Sequence, residues 1–390
     1  MNYHQSKGLV TFFRERQRSE GVENILQGFL SKRLTEHSLR SLSDKAHLID
    51  FCSNDYLGFS RSALLRDKVK RELERLGNYP IGSTGSRLIT GNHPLFEELE
   101  SFIAQYHHAD AGLIFNSGYD ANLGFFSSVP QHNDLVLFDE AVHASIRDGI
   151  KLTRGKPMEF RHNDLDELRQ KMYGSHENIY IAVESVYSMD GDFAPLKELV
   201  ALCREFGANL VVDEAHATGL FGEKGEGRVV ELGLENDVFA RIHTFSKALG
   251  CNGAIIVGSE ILKQFLLNYA RPFVFSTALP FHSLLAVKCA YEILPNQQRR
   301  ILKIRNLTEL LIQNIESRSE GVLIPSESAI QSMIIPGNKQ ALAVSQVLEK
   351  AGFYAKAILY PTVPRGKERI RFVIHSFNTE EEVRNLCCAL

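Results

Sequence analysis

The sequence predicts an α/β protein: a mostly parallel sheet through its middle, followed by a smaller α+β unit. Two rhythms carry that reading. Between about residues 50 and 280, short apolar runs alternate with amphipathic stretches, as βαβ units require. From about residue 290 the order changes to helix first and strands after. The 390 residues leave room for roughly two to three domains, and a chain of this length buries roughly three quarters of its unfolded surface.

Taken in order, residues up to about 45 are rich in Arg, Glu, Gln and Ser, with apolar residues at loosely helical spacing. They read as a helical arm that packs on something else. The clearest strands are Ala111–Phe115, Leu135–Phe138, Tyr180–Val183, Leu210–Val212, Val238–His243 and Ala254–Val257, with a later one at Arg369–His375. No internal repeat, low-complexity tract or flexible linker interrupts the chain. The expected organisation is an arm over 1–48, a large domain over 49–285 and a small domain over 286–390, joined by a tight interface.

Composition narrows the function classes. Hydrophobic residues make up 44% and charged residues 23%, with a net charge of −3, so nothing pulls the whole chain toward nucleic acid or an anionic membrane. Six cysteines without a CxxC pair argue against a disulfide scaffold and a zinc ribbon, and no metal is expected. Leu9 to Phe13 is too short an apolar run for an export signal, and Arg14, Glu15, Arg16 and Arg18 follow at once. No apolar stretch approaches the roughly 20 residues that cross a bilayer. The chain is therefore expected in a reducing cytoplasm.

Ligands of open parallel sheets bind beyond the carboxyl ends of the strands. Here those ends run into Asn116-Ser117-Gly118-Tyr119, Asp139-Glu140 with His143 and Ser145, Glu184-Ser185 with Ser188, Asp213-Glu214-Ala215-His216, and Thr244-Phe245-Ser246-Lys247. Ser117, Gly118 and Tyr119 at a strand-to-helix turn offer backbone N–H groups and a hydroxyl to a phosphate, and Thr244 and Ser246 add hydroxyls. Lys247 follows directly. A lysine amine beside a phosphate site can form a Schiff base with a phosphorylated aldehyde, which points to pyridoxal phosphate. Asp213 suits the pyridine nitrogen, His216 the ring oxygen and His143 the open ring face.

Singly, each residue has an ordinary reading. Lys247 reads as a solvated loop residue, Asp213 as a helix N-cap, Ser117-Gly118 as a plain turn and His143 as a satisfied polar contact. Their convergence is what argues for one site. Asp213-Glu214-Ala215-His216 spells a helicase box, but no GxxxxGK[ST] loop accompanies it, and Gly82–Ser86 lacks GxGxxG spacing and a preceding strand.

An ordered set of longer motifs runs through the chain: 51-FCSNDYLG-58, 82-GSTGSR-87, 116-NSGY-119, 143-HAS-145, 188-SMDGD-192, 213-DEAH-216, 244-TFSKALG-250, 275-FSTALP-280 and 361-PTVP-364, then Arg369-Ile370-Arg371. In these the chain resembles the α-oxoamine synthases. These are pyridoxal-phosphate enzymes of the aspartate-aminotransferase-like (type I) fold, and they join an amino acid to an acyl thioester with loss of carbon dioxide. The resemblance covers nearly the whole chain from about residue 45. It implies helices on both faces of the sheet. It implies Lys247, His143, Asp213 and His216 as catalytic residues. It implies cofactor contacts from Gly118, Tyr119, Ser188 and Thr244, beside Ser117 and Ser246 read from the strand ends. Thr277 is implied as a residue reaching the phosphate across a homodimer interface, and Asn54 and Arg371 as the substrate-binding pair, with Arg371 clamping the amino acid's carboxylate. On residues alone Arg371 reads as a solvated strand arginine. Gly82 to Asn92 and 244-TFSKALG-250 are most similar to the branch that joins L-alanine to a pimeloyl thioester, carried by coenzyme A or a carrier protein. Branches that use glycine or serine share most of the same site, and aminotransferases and lyases use the fold without acyl transfer.

Overall fold

The computed structural model describes residues 21–318 and 322–390. Its centre is a seven-stranded sheet in the order β2-β8-β7-β6-β5-β3-β4. The strands are β2 (Ala111–Phe115), β3 (Leu135–Asp139), β4 (Lys156–Phe160), β5 (Ile179–Glu184), β6 (Asn209–Asp213), β7 (Ala240–Thr244) and β8 (Ala254–Gly258). β8 alone runs antiparallel to its neighbours β2 and β7, and the remaining pairs are parallel. The carboxyl ends of β2, β3, β5, β6 and β7 therefore lie along one edge.

Six of these strands match the sequence expectation to within about two residues. β4 was not expected. It reads Lys156-Pro157-Met158-Glu159-Phe160 and is exposed along four of its five residues. It is an edge strand, where a proline is tolerated and an apolar run is not needed.

Period-two alternation sorts the sheet's side chains into two cores. Leu113, Phe115, Ala254 and Ile256 join Ala121 and Phe125 of the Gly118–Ser128 helix on one face. Ile114, Ile255 and Val257 join Leu95, Leu99 and Ile103 of the Pro94–Tyr106 helix on the other. With both faces covered, the strands must be nearly all apolar, which is why they were readable as short runs.

A second, antiparallel sheet follows in the order β12-β13-β10-β9, built from β9 (Val322–Leu323), β10 (Ile330–Ile334), β12 (Lys356–Ile358) and β13 (Arg369–Val373). A short strand β1 (Ile49–Asp50) pairs in parallel with β11 (Phe353–Tyr354), and Val373 N donates to Phe51 O. The segment entering the large sheet's domain is thus also bonded to the C-terminal unit. Of the arm read over 1–48, residues 1–20, including Leu9–Phe13 and the arginines after it, lie outside the described residues. The described part holds a helix, Val22–Thr35, that buries no residue and leaves Val22, Ile25 and Phe29 more than half exposed. No helix among the described residues is long and apolar enough to cross a membrane.

Candidate active site

β6 ends at Asp213, whose carboxylate is buried. One oxygen accepts from Ala215 N at 2.9 Å and the other from Asn122 Nδ2 at 2.7 Å. The second hydrogen of the Asn122 amide goes to Ser145 Oγ at 3.0 Å, and Ser145 Oγ lies 2.8 Å from His143 Nδ1. Ser145 N also donates to that Nδ1, so the imidazole accepts there and carries its proton on Nε2. His143 caps the Ala144–Lys151 helix, and its own backbone N–H donates to Glu184 at the end of β5. Burial lowers the His143 pKa, against the attraction of Asp213.

Lys247 sits just past β7, half-buried and with no hydrogen-bond partner among the described residues. Burial pulls its amine down to a pKa of about 8, opposed by the Asp213 and Glu184 carboxylates and assisted by the Arg371 guanidinium. Burial pushes Glu184 up to about 8, and the nearby Asp213 charge adds to this.

His216 follows three residues after Asp213. Its Nδ1 is 2.6 Å from the hydroxyl of the fully buried Tyr56. Burial drives the His216 pKa well down and the Tyr56 pKa up, so both are neutral. The Arg371 guanidinium, which can only donate, lies beside the phenol oxygen. The single phenol proton therefore points at Nδ1, and His216 presents Nε2–H to the site. Tyr56→Phe leaves that buried Nδ1 bare, a cost of about 1–3 kcal/mol. We expect turnover to fall about 10- to 100-fold in steady-state kinetics with the circular dichroism spectrum unchanged.

At the other end, Gly118 opens the helix after β2, and a Cβ there would stand 2.4 Å from Thr244 Cγ2. The ends of β2 and β7 close to a distance that only glycine allows. The buried Thr244 Oγ1 has no partner among the described residues and can meet an oxyanion. Ser117 spends its hydroxyl on its own helix, accepting from Asp120 N and donating to Asp120 Oδ2, so its contribution is backbone. Ser188 is buried, and its N–H donates to Glu184 Oε2 at 3.2 Å.

From the second sheet, Arg371 is buried and donates to Asn54 Oδ1 at 3.1 Å, while its Nε has no partner among the described residues. The solvated reading of Arg371 is overturned: β13 lies inside its sheet between β12 and β10. His143 is hydrogen-bonded into the cluster but is itself exposed, and Lys247 is half-buried; three further expected residues make no hydrogen bond to the cluster's side chains. Ser246 and Thr277 are exposed, and Tyr119 is 44% exposed with its hydroxyl on Asp148. Thr277 reaches this edge only through its carbonyl, which accepts from Asn116 Nδ2 at 2.8 Å. Sequence reasoning missed Asn122, and it placed Ser145 and Glu184 at the strand ends and Tyr56 in a motif without giving any of the three a role. The available signal was polarity on an otherwise apolar face, as with Asn122 between Ala121 and Phe125.

The model of the class I and II aminotransferase family matches residues 46–390. The chain is 40% identical over 360 residues to the 8-amino-7-oxononanoate synthase of Emericella nidulans, spanning 87% of each chain. The serine palmitoyltransferase of Sphingomonas wittichii has a TM-score of 0.82 at 29% identity, over 88% of this chain and 86% of that one. The 8-amino-7-oxononanoate synthase of Francisella tularensis, 24% identical, shares the fold with a TM-score of 0.76 over 88% of this chain and 97% of its own. With that match over all but the first 45 residues, and relatives of this kind, the chain belongs to the class I and II aminotransferase family and, within it, to the α-oxoamine synthases.

Proposed function

We propose that this chain condenses L-alanine with a pimeloyl thioester, releasing carbon dioxide and the free thiol and forming 8-amino-7-oxononanoate, with pyridoxal phosphate as cofactor. The observation that carries the chemistry is the convergence of Lys247, Asp213 and His216 from two strand ends with Arg371 from the second sheet. The choice of amino acid and acyl group follows the 40% identical relative.

The residues fit the cofactor. The orphan Thr244 hydroxyl and the Gly118 backbone against it suit a phosphate at a helix N-terminus. Asp213 would meet the ring nitrogen, His216 Nε2–H the ring oxygen and His143 the ring face. Lys247 supplies the half-buried amine, with its pKa lowered to about 8, that an aldehyde needs. Bound there, the cofactor supplies an electron sink for the pair left on the amino acid's Cα. Arg371, steadied by Asn54, holds the substrate carboxylate, and its unpartnered Nε is a free donor for it. Lys247 Nζ takes and returns the Cα proton, a role suited to an amine near neutrality. Asp213 would keep a bound ring's nitrogen protonated. Asn122 and Ser145 fix His143 relative to Asp213, so one network would hold both the face and the nitrogen of a bound ring.

The reading extends to a cytoplasmic homodimer with a shared site. Thr277, Ser246 and Tyr119 are exposed in one chain although they flank the buried phosphate corner, and Ile81, Ile89 and Phe275 are exposed as well. A matrix of L-alanine, glycine and L-serine against pimeloyl, acetyl and palmitoyl thioesters on coenzyme A and carrier protein, scored by aminoketone mass, tests the proposal. Preference for glycine with acetyl or serine with palmitoyl thioester contradicts it, and turnover without any thioester points to an aminotransferase or lyase.

A further inference from the structure

One cluster outside the described chemistry joins the two sheets. After β5, Val186 and Phe193 form an antiparallel bridge, and the turn between them closes with Gly191 N donating to Tyr187 O at 2.8 Å. Its first residue toward the site is Ser188, bonded to Glu184.

The base of this turn is tied to the large sheet by His162. Nε2 is 2.7 Å from Asp192 Oδ2, and Nδ1 is 2.9 Å from Asp139 Oδ1 at the end of β3. Asn163 Nδ2 adds bonds to Asp192 Oδ2 and Phe193 O, each at 3.1 Å. The Tyr187 ring stands edge-on to the imidazole at 4.5 Å. Both ring nitrogens face carboxylate oxygens, so both carry protons and the ring is an imidazolium. Burial works against the charge, but the bonds to Asp139 and Asp192 prevail and raise the pKa to about 10.

The tip of the turn is tied to the second sheet. Ser332 Oγ donates to Met189 O at 2.7 Å, and Ser326 Oγ to Gly191 O at 2.8 Å. Asp190 pairs with the buried Arg369. Gly191 has φ +80°, and a Cβ there would lie 2.3 Å from Ile330 O, so the turn presses directly on that sheet's backbone. The anchor points surround Arg371: Ser332 is its cross-strand partner and Arg369 precedes it by two residues on β13.

We propose that His162 is a positioning residue: through the Ser188–Asp192 turn, its doubly bonded imidazolium sets where β13 holds Arg371 against the residues of the large sheet. It touches neither substrate nor cofactor. The proposal rests on the reading of Arg371 as the carboxylate clamp, and it adds what fixes that clamp in place.

The test uses cofactor-loaded full chain without thioester. The dissociation constant of L-alanine is read from the visible absorbance of the bound cofactor, and that of the cofactor by equilibrium dialysis of the cofactor-free protein. His162→Gln is expected to weaken L-alanine about 10-fold while cofactor affinity stays within about 2-fold. Asp190→Asn should do the same. The double variant should be no worse than the weaker single, because both interrupt one linkage. Equal loss of cofactor and L-alanine, unchanged L-alanine binding, or multiplying effects would overturn the proposal. If His162→Gln does not fold, Asp192→Asn, which keeps the His162–Asp139 bond, must give the same selective loss. Arg371→Ala is measured alongside. If it leaves L-alanine affinity unchanged, the clamp reading fails; if it weakens binding and the His162 and Asp190 variants do not, only the positioning role fails.

Discussion

Replacing Lys247 by Ala is expected to lower turnover by about four orders of magnitude while the protein stays folded and loses its yellow colour on gel filtration. Two duties end together in this variant: covalent retention of the cofactor, and proton transfer at the amino acid's Cα. The amine is suited to both because burial lowers its pKa to about 8, with the Asp213 and Glu184 charges keeping it from falling further. The sign of the pH dependence follows. Only the unprotonated amine attacks an aldehyde, and here deprotonation is complete well below the ordinary lysine value of 10.5. The rate at which cofactor-free protein captures pyridoxal phosphate should therefore rise through about pH 8 and then level off in stopped-flow absorbance. A rate still climbing toward pH 10 would mark a solvated lysine. Wild-type turnover and colour in Lys247→Ala would end the assignment.

The second large effect belongs to Asp213. At ~3 Å and an effective dielectric of ~20, a carboxylate attracts a pyridinium by roughly 5 kcal/mol before desolvation costs. The cost of holding this carboxylate in the interior is already offset by Asn122 Nδ2 and Ala215 N–H. Asp213→Ala is expected to reduce turnover about 1,000-fold, within that ceiling. Asp213→Asn should fall nearly as far, because it keeps the shape and loses the charge. Both variants should still capture the cofactor through Lys247. Exchange of the L-alanine Cα hydrogen with solvent, followed by proton NMR without thioester, isolates the step that needs the ring's electron demand. If Asp213→Asn exchanges at the wild-type rate, the carboxylate's role is packing.

What the sequence shows and hides follows from geometry. Strands β2, β3, β5, β6 and β8 are covered on both faces and read as apolar runs, so their carboxyl ends, and the polar residues just past them, could be located. β4 could not, because an edge strand with Lys156, Pro157 and Glu159 needs no such run. A polar residue can be seen in a sequence, but not its partner. Tyr56 and His216 are 160 positions apart, and Asn122 and Asp213 are 91 apart, yet each pair is a short buried bond. Strand alternation puts Arg369 and Arg371 on one side of β13. It could not say that this side faces the Ser188–Asp192 turn and Asn54 rather than water. The arm illustrates the opposite case: its apolar spacing is legible, and Val22–Thr35 is helical, but within one chain that helix buries none of its residues.

The most direct test follows the atoms of one substrate. The purified chain is given L-alanine labelled with carbon-13 at the carboxyl carbon, pimeloyl-coenzyme A and pyridoxal phosphate, and carbon dioxide, free thiol and aminoketone are counted together. The account expects one labelled carbon dioxide and one thiol per aminoketone, with the alanine nitrogen and Cα retained in the product. Label kept in the product, or pyruvate formed while the thioester stays intact, would contradict it.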